Sequence, residues 1–512
     1  MSKIIETKIN RFDGGIVNDP RDPRKGVCRV STNFDLLTNP YKITPYRNSE
    51  SGDSASATSQ KQNFAMALRT GSIYKLYALG VKSGTAIAEV MCKDPINTAD
   101  DYTNATWQSP NNNQAALGAT SFDLFVYYKY TTAANSRIFG ALGGTRIWSC
   151  DPTSVAVFDD AGHNLTYTNI AQGLVFSKDD ILYIPYDNKI AKNNQGAWTD
   201  AALTLPSHLY ITTIWENGNY LMIACAPLSG IGNSVVYQWD RDSSLATLSE
   251  SIDGGEGIIK VGENIDGTNI TISLSGGTSA TFKDKVIFKY LSGNQLIQFR
   301  ELVGTTSTLF PSVKQKKGNR LYFMMSIVLN GTRREGVWSI GKNSSGQLAV
   351  THERTPNNDT ALTAGTSNLY NFIFVGDYLF QSYMTSSAYA LSKTNNQESY
   401  EGQTAIYETK KYFAGDSSLK KKLIGVSVMT EPLPIAGQVV LKYRMDEETS
   451  YTPIMTEATD NSISHSALNI ESSGDNLPND YKEIDFRIES IGGAEVTCFK
   501  FKEEIIGKDI YD

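Results

Sequence analysis

The residue types that carry most enzyme chemistry are sparse in this chain and widely spaced. Its four histidines are His163, His208, His352 and His465. None stands near another histidine or a cysteine at a metal-ligand spacing, so the sequence predicts no zinc site. The five cysteines, Cys28, Cys92, Cys150, Cys225 and Cys498, are scattered, odd in number and without a CxxC pair. They read as reduced, mostly buried thiols of a protein folded in a cytosol. No GxSxG elbow, P-loop or HExxH helix occurs. Carboxylates are plentiful, but their spacing singles out no acid–base pair. A glycosidase built on repeated strands stays open as a minor alternative.

Three further groups could touch a ligand. The segment SIDGGEGI carries Ser251, Asp253 and Gly255 in the places of an Asp-box turn, as found in propeller sialidases. It lacks the Thr and Trp and occurs once, so a Gly-rich turn is the better reading. Two basic groups precede strands: Lys314, Lys316, Lys317 and Arg320, then Lys420, Lys421 and Lys422. They fit a phosphate or partner contact, and fit better a solvated strand start that blocks edge pairing. Trp148, Trp198, Trp239 and Trp338 follow or end strands. Core packing suits them better than sugar binding. The expectation is therefore a non-enzymatic protein without catalytic, metal or cofactor residues.

The elements that would hold these residues are strands. In 512 residues, 27 Tyr and 20 Phe stand among abundant Asn, Ser, Thr and Gly, a mixture that favours strands and turns. No sustained helical periodicity is found. A polar turn followed by a short aromatic-bearing strand recurs at 70–80, 143–150, 178–186, 217–225, 283–291, 318–326 and 376–384. Partner strands follow at 154–160, 234–240, 295–302, 335–341 and 387–393. One small sheet cannot cover both its faces, whereas radially packed sheets cover one another. Residues 61–400 thus predict a β-propeller of about six to eight blades at about 45 residues each. Unrelated hairpins in two sandwiches are the alternative.

Residues 1–60 read as an extended N-terminal arm and linker. Pro20, Pro23, Pro40 and Pro45 hold it out of helix, and SGDSASATSQ ends it. Residues 401–512 keep alternating strands, with Val439, Leu441, Tyr443 and Met445 on one face. They predict a C-terminal β-sandwich-like domain. This segment holds 12 Lys and Arg against 20 Asp and Glu, a local −8, so the first 400 residues are close to neutral within the net charge of −7. Such a balance does not attract phosphate backbones, which suits a surface that DNA passes without sticking. MSKIIETKIN has no signal-peptide core, and no apolar run is long enough for a membrane span.

Three segments resemble structural propeller proteins of bacteriophage tails. In FDGGIVNDPRDPR and the phrase after it, Phe12, Gly14, Gly15, Asn33, Asp35, Pro45 and Arg47 match. In residues 257–290, Val261, Gly262, Asp266, Gly267, Ile270, Lys283, Val286, Ile287 and Phe288 match. In residues 407–428, Gly415, Asp416, Lys420, Lys421 and Lys422 match. The resemblance implies a virion protein of the tail nozzle or tail tubular type of short-tailed phages. It implies a homo-oligomeric ring, hexameric by preference, around a DNA-ejection conduit, with other tail proteins or fibres attached. This chain is shorter than the larger nozzle proteins, so a collar or fibre-anchoring place stays open. The alternatives are a receptor or carbohydrate-binding propeller, a glycan-cleaving tail protein, and a cellular peptide-binding scaffold.

Overall fold

The computed structural model describes residues 3–19, 21–47, 49–51, 63–70, 73–82, 87–93, 124–132, 136–142, 144–150, 158–230, 232–242, 252–276, 284–304, 308, 310–311, 313–329, 332–356, 368–375, 378–384, 389–394, 404–413, 418–468 and 477–508. Every regular element among them is a β-strand. The chain divides into two compact units. One comprises residues 51–333 and 362–393, and the other residues 1–50, 334–361 and 394–512. The sequence division falls instead at 60/61 and 400/401. The difference has two causes: the N-terminal strands pair with C-terminal ones, and Leu348–Arg354 lies beside Gly15–Ile16 and Val27–Thr32.

In the first unit four complete sheets follow one another, each of four antiparallel strands in chain order. They begin at Phe125–Tyr128, Leu174–Phe176, Leu209–Asn217 and Ile258–Ile265. A three-stranded sheet beginning at Asn63–Thr70 precedes them. The strands Lys314–Lys317 and Arg320–Leu329 follow, and then the hairpin Asn368–Val375 with Tyr378–Met384. The seven strands picked from the sequence fall one in each of these seven groups. They are interior strands, which are the most apolar because both faces are covered. Their uneven spacing has a simple cause: some are second strands and others third strands of their sheets.

Tight turns set the strand order. Gln195 and Gly196 take φ of 52° and 98°, and Asp266 and Gly267 take 46° and 80°. Two successive left-handed residues match the right-handed twist of a hairpin. Alternation along each strand then feeds two cores. Leu221, Ile223 and Cys225 pack with Ile190 and Leu203 of the preceding sheet. Met222 and Ala224, pointing the other way, pack with Ile259 of the following one. Leu182, Ile184 and Tyr186 likewise face Phe139 and Ile147 behind them, while Tyr183 meets Trp239 ahead, edge-on at 5.8 Å. Period-two side chains thus stack the sheets face to face in series.

The first strands also neighbour one another. Leu209–Asn217 lies beside Ile258–Ile265, which lies beside Lys314–Lys317, which lies beside Asn368–Val375. Asn368–Val375 lies beside Asn63–Thr70, the first strand of the first sheet.

The second unit holds two larger sheets. A five-stranded one has the order Ile4–Ile9, Val496–Lys508, Leu419–Thr430, Ser464–Leu468, with Asn479–Tyr481 also on Leu419–Thr430. A six-stranded one runs Gly15–Ile16, Val27–Thr32, Thr404–Thr409, Ile484–Ile491, Gln438–Met445, Thr452–Glu457. Phe486 of the second sheet packs on Phe499 and Phe501 of the first, at 4.8 and 4.9 Å between rings. The N-terminal residues enter both sheets. Ile4–Ile9 pairs from Ile4↔Glu504 to Ile9↔Phe499, and Val27–Thr32 pairs with Thr404–Thr409.

The first family-like phrase does this joining. Phe12 is fully buried, edge-on to Tyr407 at 5.4 Å. A Cβ on Gly14 would stand 2.6 Å from the Gly26 backbone, so only glycine allows that approach. Asn33, with φ of 60°, accepts a bond from the Thr355 amide and donates to the Thr404 carbonyl.

Candidate functional site

The residues singled out from sequence do not converge. His163 places Nε2 2.6 Å from Asp200 Oδ1, with its ring stacked 4.3 Å from Trp198. His352 is fully buried beside Trp338, and its Nε2 lies 2.9 Å from the Glu335 carbonyl oxygen. Burial pushes its pKa down to about 3, so it is neutral. His465 meets Thr430 Oγ1 at 3.2 Å, and His208 is exposed. Among the described residues no three His, Cys, Asp or Glu side chains are grouped to hold a metal. Cys28, Cys225 and Cys498 are buried thiols outside any disulfide; the Cys92 and Cys150 side chains lie outside the described residues.

The Asp-box-like segment links two sheets. Ser251 lies outside the described residues. Asp253 accepts bonds from the Gly255 amide at 2.8 Å and from Asn233 Nδ2 at 3.1 Å. Gly255 takes φ of 70°, and the Gly254 carbonyl accepts a 2.6 Å bond from Lys289. The Gly-rich turn expected from the sequence is corrected here: Ile252–Gly255 is a strand paired with Ser234–Trp239, because Asp253 and Gly255 close the strand end and the bend follows at 256–257.

The basic groups are tied down. Lys314 Nζ donates to the carbonyls of Ile214, at 2.9 Å, and Gly262, and pairs with Glu263 at 3.2 Å. Gln315 exchanges two bonds with the Phe374 backbone. Lys316 donates to the Asn264 carbonyl and Lys317 covers the Phe374 ring. Arg320 is buried. Lys420 pairs with Asp480, and Lys421 is buried and donates to the Lys482 carbonyl. Lys422 lies in the same strand, whereas Lys283, Gly415 and Asp416 fall outside the described residues. Trp148, Trp239 and Trp338 are core residues, and Trp198 packs edge-on against Phe139.

Sequence reasoning missed a charged network on the six-stranded sheet. Asp485 accepts from Arg29 at 3.2 Å and Arg444 at 2.9 Å. Glu489 takes both Lys442 and Arg487 at 2.8 Å, and Arg487 also reaches Glu408. The Arg444 and Arg487 guanidinium groups lie over the Tyr451 ring. Register explains the pairing: Arg444 stands opposite Asp485, and Glu408 opposite Arg487. Burial drives the Tyr451 phenol far up and brings Arg334 down to about 10. The alternation of Asp485, Arg487 and Glu489 with Phe486 and Ile488 was the available signal. These carboxylates are occupied by cations, which makes the network structural.

One open cleft lies wholly in the second unit. Its volume is about 370 Å³, and it is lined by Lys8, Asn10, Asn39, Tyr41, Lys42, Met429, Glu431, Thr497 and Cys498. Tyr41 is 65% exposed and presents its ring to the cleft. Its loop is held firmly. The Tyr41 amide bonds to Asn39 Oδ1 at 3.0 Å, and the Phe12 amide to the Pro40 carbonyl at 2.9 Å. Ile43 and Val496 exchange two backbone bonds, and Lys42 pairs with Glu495 at 2.6 Å. Lys8 has no ion pair among the described residues.

No protein-family model matches the chain, and no curated protein matches it. Solved structures resemble it weakly. The N-terminal domain of Nup159 is 8% identical with a TM-score of 0.38, over 71% of this chain and 98% of that one. BBS1N, solved in complex with ARL6DN, is 10% identical with a TM-score of 0.36, over 70% and 98%. A glycoside hydrolase is 10% identical with a TM-score of 0.26, over 87% and 99%. At such scores the likeness assigns neither an arrangement of sheets nor an activity to this chain.

Proposed function

We propose that the chain is a structural assembly protein of the phage-tail type, built from a seven-bladed β-propeller and a two-sheet sandwich. The observation that carries the propeller is the serial stacking of seven strand groups, with Asn368–Val375 returning beside Asn63–Thr70. A closed circle of blades leaves only short edges and covers every inner face. The titratable groups stabilise this fold from within. Lys314, Asp253 and the network around Asp485 hold neighbouring strands together. The phage-tail assignment rests on the three family-like phrases.

In this reading identical copies meet through heterologous contacts that close under cyclic symmetry, six copies being favoured. The ring surrounds a passage for DNA and carries neighbouring tail proteins or fibres. Negative-stain electron microscopy of the purified chain, with light scattering for mass, tests it. Closed rings are expected. A monomer at every concentration, absent from virions, would overturn the assembly role.

A further inference from the structure

We propose that the cleft beside Tyr41 is a carbohydrate site that takes one pyranose unit of a glycan. Four features of the cleft point to a sugar. Tyr41 offers an exposed ring on a loop fixed at both ends, so little order is lost on binding. An aromatic face suits the C–H face of a pyranose, and the phenol edge stays hydrated. Asn10 and Asn39 stand beside it. The Asn39 carbonyl oxygen is taken by the Tyr41 amide, which leaves its NH₂ group as a donor to hydroxyls.

Charge narrows the class. Lys42 is neutralised by Glu495 at 2.6 Å and has Glu431 at 4.0 Å. Lys8 is then the lining cation left over, and Lys500 stands opposite it in the strand pair beside Cys498. Two lysines are too few for a polyphosphate, which collects several cations, and suit a hydroxyl-rich ring or a single sugar carboxylate. The volume of about 370 Å³ lies at the small end of ligand sites. Met429 and the nearly buried Cys498 line it too.

Saturation-transfer NMR on the full chain tests the site with three probes: methyl β-glucopyranoside, methyl β-galactopyranoside and methyl β-glucuronoside. Transfer to ring protons of at least one is expected, with millimolar affinity. Tyr41→Ala should weaken it about tenfold, while Tyr41→Phe retains it. Tyr41 is largely solvent-exposed, so these variants keep the fold, which circular dichroism checks. If the glucuronoside binds, Lys8→Met should weaken it more than it weakens a neutral sugar. Absence of transfer to all three probes overturns the proposal. So does transfer that Tyr41→Ala leaves intact.

Discussion

The Lys314 ammonium group lies 2.9 Å from the carbonyl oxygen of Ile214, one hundred residues earlier in the chain. It also reaches the Gly262 carbonyl and the Glu263 carboxylate. One side chain therefore ties together the first strands of three successive sheets. Its head stands where those strands leave backbone oxygens pointing out of their own ladders, and a charged donor satisfies them strongly.

Lys314→Met keeps the aliphatic stem and removes the donor. It should cost about 2–3 kcal/mol, the usual loss when bonds to a charged group are deleted and acceptors stay buried. Urea unfolding of the two proteins measures the difference. An unchanged midpoint would mean that water replaces the ammonium without loss.

Gly262 lies under the Trp215 indole, and a Cβ at Gly262 would overlap that ring. Trp215 is 1% exposed, and its Nε1 donates to Asn269 Oδ1 at 3.1 Å. Gly262→Ala should therefore destabilise by about 1–3 kcal/mol through overpacking. Adding Trp215→Leu should give a double variant more stable than the sum of the two losses, with a coupling of about 1 kcal/mol or more. Simple additivity would show that the backbone moves away from the ring at no cost.

The same residues show what sequence can reveal. Gly262, Asp266 and Gly267 were visible as members of one family-like phrase, and the last two are also the residue types that a two-residue left-handed turn needs. The apolar runs 178–186 and 217–225 were visible for the same kind of reason: interior strands are dense in apolar residues. The first strand Leu209–Asn217 was missed. It mixes Thr212, Thr213 and Glu216 with its core residues and opens without Gly or Asn. The alternation of Asp485, Arg487 and Glu489 hinted at a charged strand face, but the partners of Asp485 were illegible for a different cause. Arg29 is 456 residues from its partner, and only the pairing of N-terminal with C-terminal strands brings them together. The cleft at Tyr41 depends on that pairing as well, since Lys8 and Thr497 come from opposite ends of the chain.

His352 should make the protein acid-sensitive. Its folded pKa of about 3 lies below the ~6.5 of an exposed histidine. Between those values the unfolded chain binds a proton that the folded chain refuses. Stability is thus complete above about pH 6.5 and falls as the pH drops, by up to about 1.4 kcal/mol per unit. Glu353, whose pKa burial raises, works in the opposite direction. The informative quantity is therefore the difference between wild type and His352→Gln. The variant should show a flatter decline between about pH 6.5 and 4 in denaturant titrations. Equal slopes would mean that the histidine becomes protonated without unfolding.

Asp485 is the hinge of the charged network, 1% exposed and shared by Arg29 and Arg444. Asp485→Asn preserves shape and removes the charge. Two guanidinium groups then face each other across a neutral amide, near Arg334, whose pKa burial already lowers. Breaking a buried pair from one side typically costs about 3–5 kcal/mol, and here two cations lose the same partner. The fall should be at the upper end of that range, and 1 M salt should recover little of it because the site excludes solvent. Arg444→Met should cost less, since Arg29 then keeps Asp485 to itself. Thermal unfolding of both variants at two salt concentrations decides the matter. If Asp485→Asn loses no more than Arg444→Met, the carboxylate is not the centre of the network.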